Sequence, residues 1–289
     1  KRPALRPGAT PTMVVDSARP AAPTSAAEKA ALPSPGSPGF QPDDAEDTVV
    51  VSSPLYRYVF STRGGRMRSA TLLTYPSMRP GDNREPSQIL QKRSDLLALG
   101  LLIGRDTVWL RDWHFTPSAS QVVVSGATPL RLTAEQGRLS LALTYTFRPD
   151  NYLIDVTGSV NGVGPDGGTL LIGMGPGLRN TESDSVEHSR ELGVVVKAEK
   201  AALTRFGKLK VQQAVAFNGP FEWVAVKSKY FVTALLAFDS SGTGRNGGIS
   251  GASAVGVDTA MKTTSSASIT AGVPLPAAGG FRYQVYAGP

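Results

Sequence analysis

The sequence predicts a large all-β domain of antiparallel strands, a sandwich or a barrel, over most of its length. Three observations lead there. Residues 139–147 alternate strictly, with Leu139, Leu141, Leu143, Tyr145 and Phe147 separated by Ser140, Ala142, Thr144 and Thr146, the period of a half-buried strand. Apolar runs recur at intervals of roughly 8–15 residues, bounded by Gly, Pro, Asn and Asp. No stretch carries the sustained three-to-four-residue period of a long amphipathic helix, and 31 glycines and 22 prolines in 289 residues supply many turns.

In chain order, residues 1–46 come first and read as a linker. Nine prolines fall within the first 42 residues, among Ala, Ser, Thr and Gly, and Phe40 is the one aromatic there. Such a segment buries too little apolar surface to offset the entropy of ordering it. A folded domain over 47–289 follows. Thr48–Val51 and Leu55–Ser61 form a hairpin-like entry around Pro54, and Gly64-Gly65 turns the chain into a strand over 66–73. Residues 76–87, with three prolines and Gly81-Asp82-Asn83, are a loop. Strands follow at 96–103, with a bulge at Gly100, and at 108–115 and 121–125. The alternating strand 139–147 precedes another at 152–160. Asn161-Gly162 has the composition of a hairpin turn, leading to a strand at 169–174. Residues 181–190 are polar and charged and read as a loop. Strands at 192–197 and 213–217 lead to the most apolar sustained stretch, 219–238, where two short runs flank Lys227-Ser228-Lys229. Strands at 248–257, 267–270 and 281–286 close the chain.

Composition excludes several function classes. With no cysteine there is no disulfide framework and no thiolate metal site. No run reaches the roughly 18 apolar residues of a spanning helix. The net charge of +7 divides into +3 on residues 1–42 and +4 on the rest. Charge that diffuse argues against nucleic acid, which calls for clustered cations and stacking aromatics. It suits mild attraction to an anionic lipid surface.

Three segments carry a family resemblance. Trp223-Val224-Ala225, Lys227 and Lys229-Tyr230-Phe231 form the first, Ser61-Thr62-Arg63-Gly64-Gly65-Arg66 the second, and Tyr283-Gln284-Val285-Tyr286-Ala287-Gly288-Pro289 the third. Taken in chain order over residues 48–289, they resemble the large periplasmic domain of the YidC membrane protein insertase family. The resemblance implies a two-sheet β-supersandwich similar to galactose mutarotases, tethered by the 1–46 linker to a transmembrane helix before Lys1. It implies a non-catalytic role at the periplasmic face of the bacterial inner membrane, with no cofactor and no metal. The partners it implies are Sec translocon components and nascent membrane proteins, with the membrane surface nearby. Trp223, Lys227, Lys229, Tyr230, Phe231, Gly64, Gly65, Tyr286, Gly288 and Pro289 are then structural positions or partner contacts. Beyond Pro289 a short linker and an apolar stretch of about 20 residues are expected.

The residues also allow other chemistry. On one strand, Trp109, Arg111 and Trp113 would share a face, a flat platform for a sugar ring or peptide or else a cation–π stack on the sheet surface. His114 or His188 with Glu182 or Glu187 would make a general acid–base pair of the mutarotase type, so a carbohydrate-binding or mutarotase-like enzyme is the alternative reading. Neither histidine sits in a matching motif, and fold analogy does not establish an activity. Gly242-Thr-Gly244-Arg-Asn-Gly247 matches G-x-G-x-x-G in letters, but the residues after it form no helix to face a pyrophosphate; it reads as a hairpin loop. Gly173-Met-Gly175-Pro-Gly177 reads as a strand end. The basic turn Arg63–Arg68 reads as a solvated hairpin end or as a contact for lipid headgroups or an acidic partner.

Overall fold

A computed structural model describes residues 47–237, 248–260 and 263–289. The 1–46 linker, Phe238 and the 242–247 glycine segment lie outside these residues. The chain opens with strands β1 (Thr48–Ser52), β2 (Tyr56–Ser61), β3 (Met67–Pro76) and β4 (Pro86–Gln88). Next come β5 (Leu99–Ile103), β6 (Asp106–Trp109), β7 (Thr116–Pro117) and β8 (Gln121–Val123). Longer strands follow: β9 (Thr128–Gln136), β10 (Leu139–Phe147), β11 (Leu153–Asn161) and β12 (Gly168–Gly173). Helix α1 (Ser185–Glu191) precedes β13 (Gly193–Lys197), β14 (Ala201–Arg205) and β15 (Ala214–Phe221). The last five strands are β16 (Trp223–Lys227), β17 (Val232–Ala237), β18 (Ile249–Ala260), β19 (Thr263–Leu275) and β20 (Gly280–Gly288).

Hydrogen bonding divides these strands into three sheets. Their orders are β4-β3-β2-β1-β8, β14-β13-β16-β17-β20-β11-β10-β9-β7 and β15-β18-β19-β12-β5-β6. All the strand pairs are antiparallel except β1 with β8. The antiparallel β class expected from the sequence is what the chain forms.

The core lies on one face of the nine-stranded sheet. Along β10, Leu139, Leu141, Leu143, Tyr145 and Phe147 are buried while the residues between are half-buried. The register continues that face through Val156, Tyr283 and Val285 to Leu235, Val224 and Val194. The five-stranded sheet covers one part of it. Tyr58 packs its ring against Phe147, Phe60 packs against Tyr145, and Tyr58 donates a hydrogen bond to the Ala287 carbonyl on the last strand. The six-stranded sheet covers the rest, with β15, β18 and β19 touching β13, β16 and β20. Two layers therefore enclose one core, and the other face of the large sheet meets solvent.

Local differences from the sequence reading have physical causes. Residues 185–191 form a helix where a loop was expected, because Asp184 caps it by accepting from the Val186 and Glu187 amides. Its one buried side chain, His188, leaves no apolar period to read. Asn161-Gly162 does not make a hairpin. β11 pairs with β10 and β20, whereas β12 pairs with β19 and β5, so this turn carries the chain from one sheet to another. β9 and β14 are strands that the sequence reading passed over.

Candidate functional site

The stretch 223–232 is a hairpin whose two faces differ. Val224 and Val226 point into the core, while half-buried Trp223 and Lys227 and buried Ala225 take the opposite side of β16. Ser228 closes the connection to β17: its amide donates to the Phe231 carbonyl at 2.9 Å, and the Phe231 amide donates to its Oγ at 3.2 Å. That tight turn pushes Lys229 and Tyr230 outward, Tyr230 being 53% exposed. Phe231 folds back and meets the Tyr75 ring edge-on at 6.0 Å.

Together these residues shape an open depression of about 340 Å³ on the solvent face of the large sheet. Val195, Trp223, Ala225, Phe231 and Val232 supply its apolar wall, and Lys227 and Lys229 stand at its side. The depression belongs to a longer apolar row. Cross-strand register aligns Leu203, Val195, Ala225, Ala234, Tyr286 and Leu153 across six strands. Such a row on the uncovered face of a sheet is a surface suited to a partner.

The two signature lysines are tied to α1. Lys229 Nζ lies 2.8 Å from Glu187, and Lys227 Nζ lies 3.0 Å from Glu191, which also holds Arg205 at 3.1 Å. Glu187 and Glu191 stand one helical turn apart, so they face the strand together. The Lys227 hydrogen bond holds the Glu191 carboxyl below its ordinary value. The Glu187 hydrogen bond raises Lys229 above the usual lysine range.

The third signature segment lies beside the first. Tyr286 pairs with Ala234 and Gly288 with Val232. The Tyr286 hydroxyl donates to the Pro289 carbonyl at 2.9 Å, and its ring meets Tyr152 at 6.3 Å. Gly64 and Gly65 lie elsewhere, in the turn between β2 and β3. Both have positive φ, +75° and +62°, and a Cβ on Gly64 would sit 2.9 Å from the Arg111 carbonyl oxygen. Their role is to let this turn close on the 111–115 segment, where the Gly64 amide donates to the Trp113 carbonyl.

The platform of Trp109, Arg111 and Trp113 does not form. β6 stops at Trp109, and the chain then turns, with the Trp113 amide donating to the Leu110 carbonyl. Trp113 is 7% exposed, Trp109 lies over Gly100, and Arg111 sits 3.6 Å from Asp112. The histidines are also apart. His114 is exposed and bridges to Arg63. His188 is buried, its Nε2 lies 3.4 Å from the Leu178 carbonyl and its Nδ1 has no hydrogen-bond partner. Burial lowers its pKa. Glu187 is engaged by Lys229, and Glu182 accepts from Thr181. Among the described residues no cluster of three or more His, Cys, Asp or Glu side chains is placed to hold a metal. No helix there is long and apolar enough to cross a membrane.

The family model described as the YidC periplasmic domain matches residues 48–289. The chain is 28% identical over 208 residues to the membrane protein insertase YidC of Chlorobaculum tepidum, covering 66% of this chain and 33% of that one. It is 27% identical over 241 residues to YidC of Chlorobaculum parvum, covering 78% and 39%. With YidC of Syntrophus aciditrophicus it shares 25% identity over 293 residues, covering 96% and 52%. The chain thus spans between a third and about half the length of these curated relatives. Its fold is similar to that of a galactose mutarotase-like protein from Lactobacillus casei, with a TM-score of 0.51, 10% identity, and coverage of 83% of this chain and 99% of that one. At that identity the likeness concerns the fold alone.

Proposed function

The chain belongs to the YidC periplasmic domain family, and from that premise we propose that it is the non-catalytic periplasmic part of a membrane protein insertase. In this reading residues 1–46 are a tether, 47–289 are the working domain, and the domain stands at the periplasmic face of the inner membrane. It contributes binding to the insertion and folding of membrane proteins, alone or beside Sec translocon components. Nascent membrane proteins are its substrates.

One observation carries the reading beyond family membership: Trp223, Lys227, Lys229 and Tyr230 of the signature stand around an open apolar depression at the surface, with the buried Phe231 in its wall, while Val224 points into the core. Half-buried Trp223 and Val232 offer contact area, and Tyr230 projects from the rim. Aromatic residues of this kind anchor protein contacts well. The absence of bond-making chemistry from this reading is supported by the histidines: the buried one faces a carbonyl, and the candidate carboxylates are held by Lys229 and Thr181.

The test uses the full-length insertase with a photoreactive residue in place of Tyr230. Cross-links to a membrane protein under insertion, or to a translocon subunit, are expected at this position. They should be absent when the probe replaces Val123, a 78% exposed residue on the five-stranded sheet. Equal cross-linking at both sites, or none at 230, would overturn the docking surface. Turnover of a sugar by the chain, abolished by His188→Asn, would overturn the non-catalytic reading.

A further inference from the structure

Among the described residues six strands stand at the ends of the three sheets, and five of them are short or interrupted by proline. β4 has three residues including Pro86, β7 has two including Pro117, β8 has three, β6 has four, and β15 contains Pro220. Proline and brevity are the usual ways of keeping a sheet edge from pairing with another chain. β14 uses neither. Its five residues, Ala201–Arg205, contain no proline, and four of them are exposed.

The register says which groups this edge offers. The Phe206 amide donates to the Leu192 carbonyl at 2.9 Å, which makes 192 and 206 a hydrogen-bonded pair. Such pairs alternate along an antiparallel ladder. Residues 202 and 204 therefore bond inward to β13, and Ala201, Leu203 and Arg205 turn their N–H and C=O groups outward. On the solvent face, Leu203, 45% exposed, is the last member of the apolar row that runs through Val195 and Ala225 to the depression.

Charge selects the occupant. Between Lys200 and Lys210 the chain carries Lys200, Arg205, Lys208 and Lys210 and no acidic residue; all four are exposed. Arg205 shares Glu191 with Lys227, and Glu199 lies on the turn before β14. A second copy would bring like charges together across the new pair, which is unfavourable. A lipid surface would meet the cations but leave the outward amides and carbonyls without strand partners.

We propose that β14 is a strand-addition site for an extended, acidic peptide segment with alternating apolar residues. The segment would pair with Ala201, Leu203 and Arg205, lengthen the nine-stranded sheet by one strand, and place an apolar side chain beside Leu203. Strand addition of this kind draws affinity from main-chain hydrogen bonds and selectivity from alternate side chains. The inference rests on the docking reading for its biological setting only; the edge can be assayed on the 289-residue chain itself.

The probe is the peptide acetyl-Glu-Val-Glu-Ile-Glu-Val-Glu-amide, titrated at low ionic strength with hydrogen exchange read amide by amide. Saturable binding that slows exchange at Ala201, Leu203 and Arg205 is expected. Methylating alternate peptide amides, or replacing Glu by Lys throughout, should weaken binding about tenfold or more. The variant Lys200→Glu/Lys208→Glu/Lys210→Glu should do the same without touching the edge backbone. Leu203→Pro, which removes an outward N–H, should abolish protection of its neighbours. Equal affinity for the methylated peptide would overturn the proposal, as would protection confined to other strands. So would vesicles of anionic phospholipid protecting β14 where the peptide does not. Loss of cross-linking at Tyr230 in the full-length protein would bear on the depression and leave this outcome unchanged.

Discussion

Lys227 sets its Nζ 3.0 Å from Glu191 Oε2, joining β16 to a helix that lies 36 residues earlier in the chain. Glu191 is the hub of the arrangement, since it also receives Arg205. Replacing it by Gln strips two cations of their partner, whereas Glu187→Gln strips only Lys229, in a pair that is more exposed. Glu191→Gln should lower the urea midpoint at neutral pH, and Glu187→Gln should lower it less. The Glu191 carboxyl sits below its ordinary 4.5 in the folded chain. Its contribution is therefore full above that value and fades as pH falls below it. The midpoints of Glu191→Gln and the parent should converge in acid. A gap that is the same at all pH values would refute the assignment.

Gly64 and Gly65 both have positive φ but differ in what surrounds them. A Cβ at Gly64 meets the Arg111 backbone oxygen at 2.9 Å, whereas one at Gly65 meets the Phe115 ring at 3.5 Å. Gly65→Ala should cost about 1–2 kcal/mol, the strain of the left-handed region. Gly64→Ala carries the same strain plus a clash with backbone that has no room to move, and should cost more. Denaturant unfolding of the two variants measures the difference, and equal losses would show that the 111–115 segment yields.

Periodicity made the alternating strand legible, because one face of β10 is buried and the other is not. The two runs around Lys227-Ser228-Lys229 were legible as strands from their apolar content alone, read as buried on both faces; the structure instead holds Val224, Val226 and Leu235 in the core and leaves Trp223, Lys227, Val232, Ala234 and Leu236 half-buried. Helix α1 was hidden because it buries little more than His188. Its available signal was Asp184 followed three residues later by Glu187, the spacing of a capping box. β14 was hidden for the same reason. It owes its strand form to pairing with β13, and an exposed strand leaves no hydrophobic pattern. Trp109 and Trp113 misled because a shared face was inferred for a strand that ends at Trp109. The depression itself depended on register, which brings Val195 beside Ala225 from a distant part of the chain.

Tyr58 ties the first sheet to the last strand. Its hydroxyl donates to the Ala287 carbonyl at 2.8 Å in a buried setting, while its ring stacks on Tyr56 at 4.1 Å. Tyr58→Phe keeps the stack and removes only the donor, so it should cost about 1–2 kcal/mol. Tyr56 donates to the Arg148 carbonyl at 2.9 Å in a partly buried setting, where water can replace the lost donor. Tyr56→Phe should therefore cost less. Thermal or urea unfolding would rank the two, and the reverse ranking would refute the argument.

Asp95 provides a pH dependence of the less common sign. Its Oδ1 is buried without a hydrogen-bond partner. Burial pushes the carboxyl up from 3.8 to about 6, against smaller opposing effects that include its own backbone amide, the nearby Arg66 charge and the Gly175 backbone. Between those two values the folded chain holds a proton that the unfolded chain has released. This residue's contribution to stability is therefore greatest below pH 3.8, falls as pH rises through about 6, and is constant above that. The full swing is at most about 3 kcal/mol. Asp95→Asn fixes the group in a neutral form. It should make the chain more stable than the parent at pH 7.5, with the advantage shrinking steadily as the pH is lowered to 4. Urea titrations of both proteins across that range give the comparison directly, since other titrating groups contribute equally to each. A variant that is less stable at pH 7.5, or an advantage unchanged at pH 4, would mean that the carboxylate is satisfied where it lies.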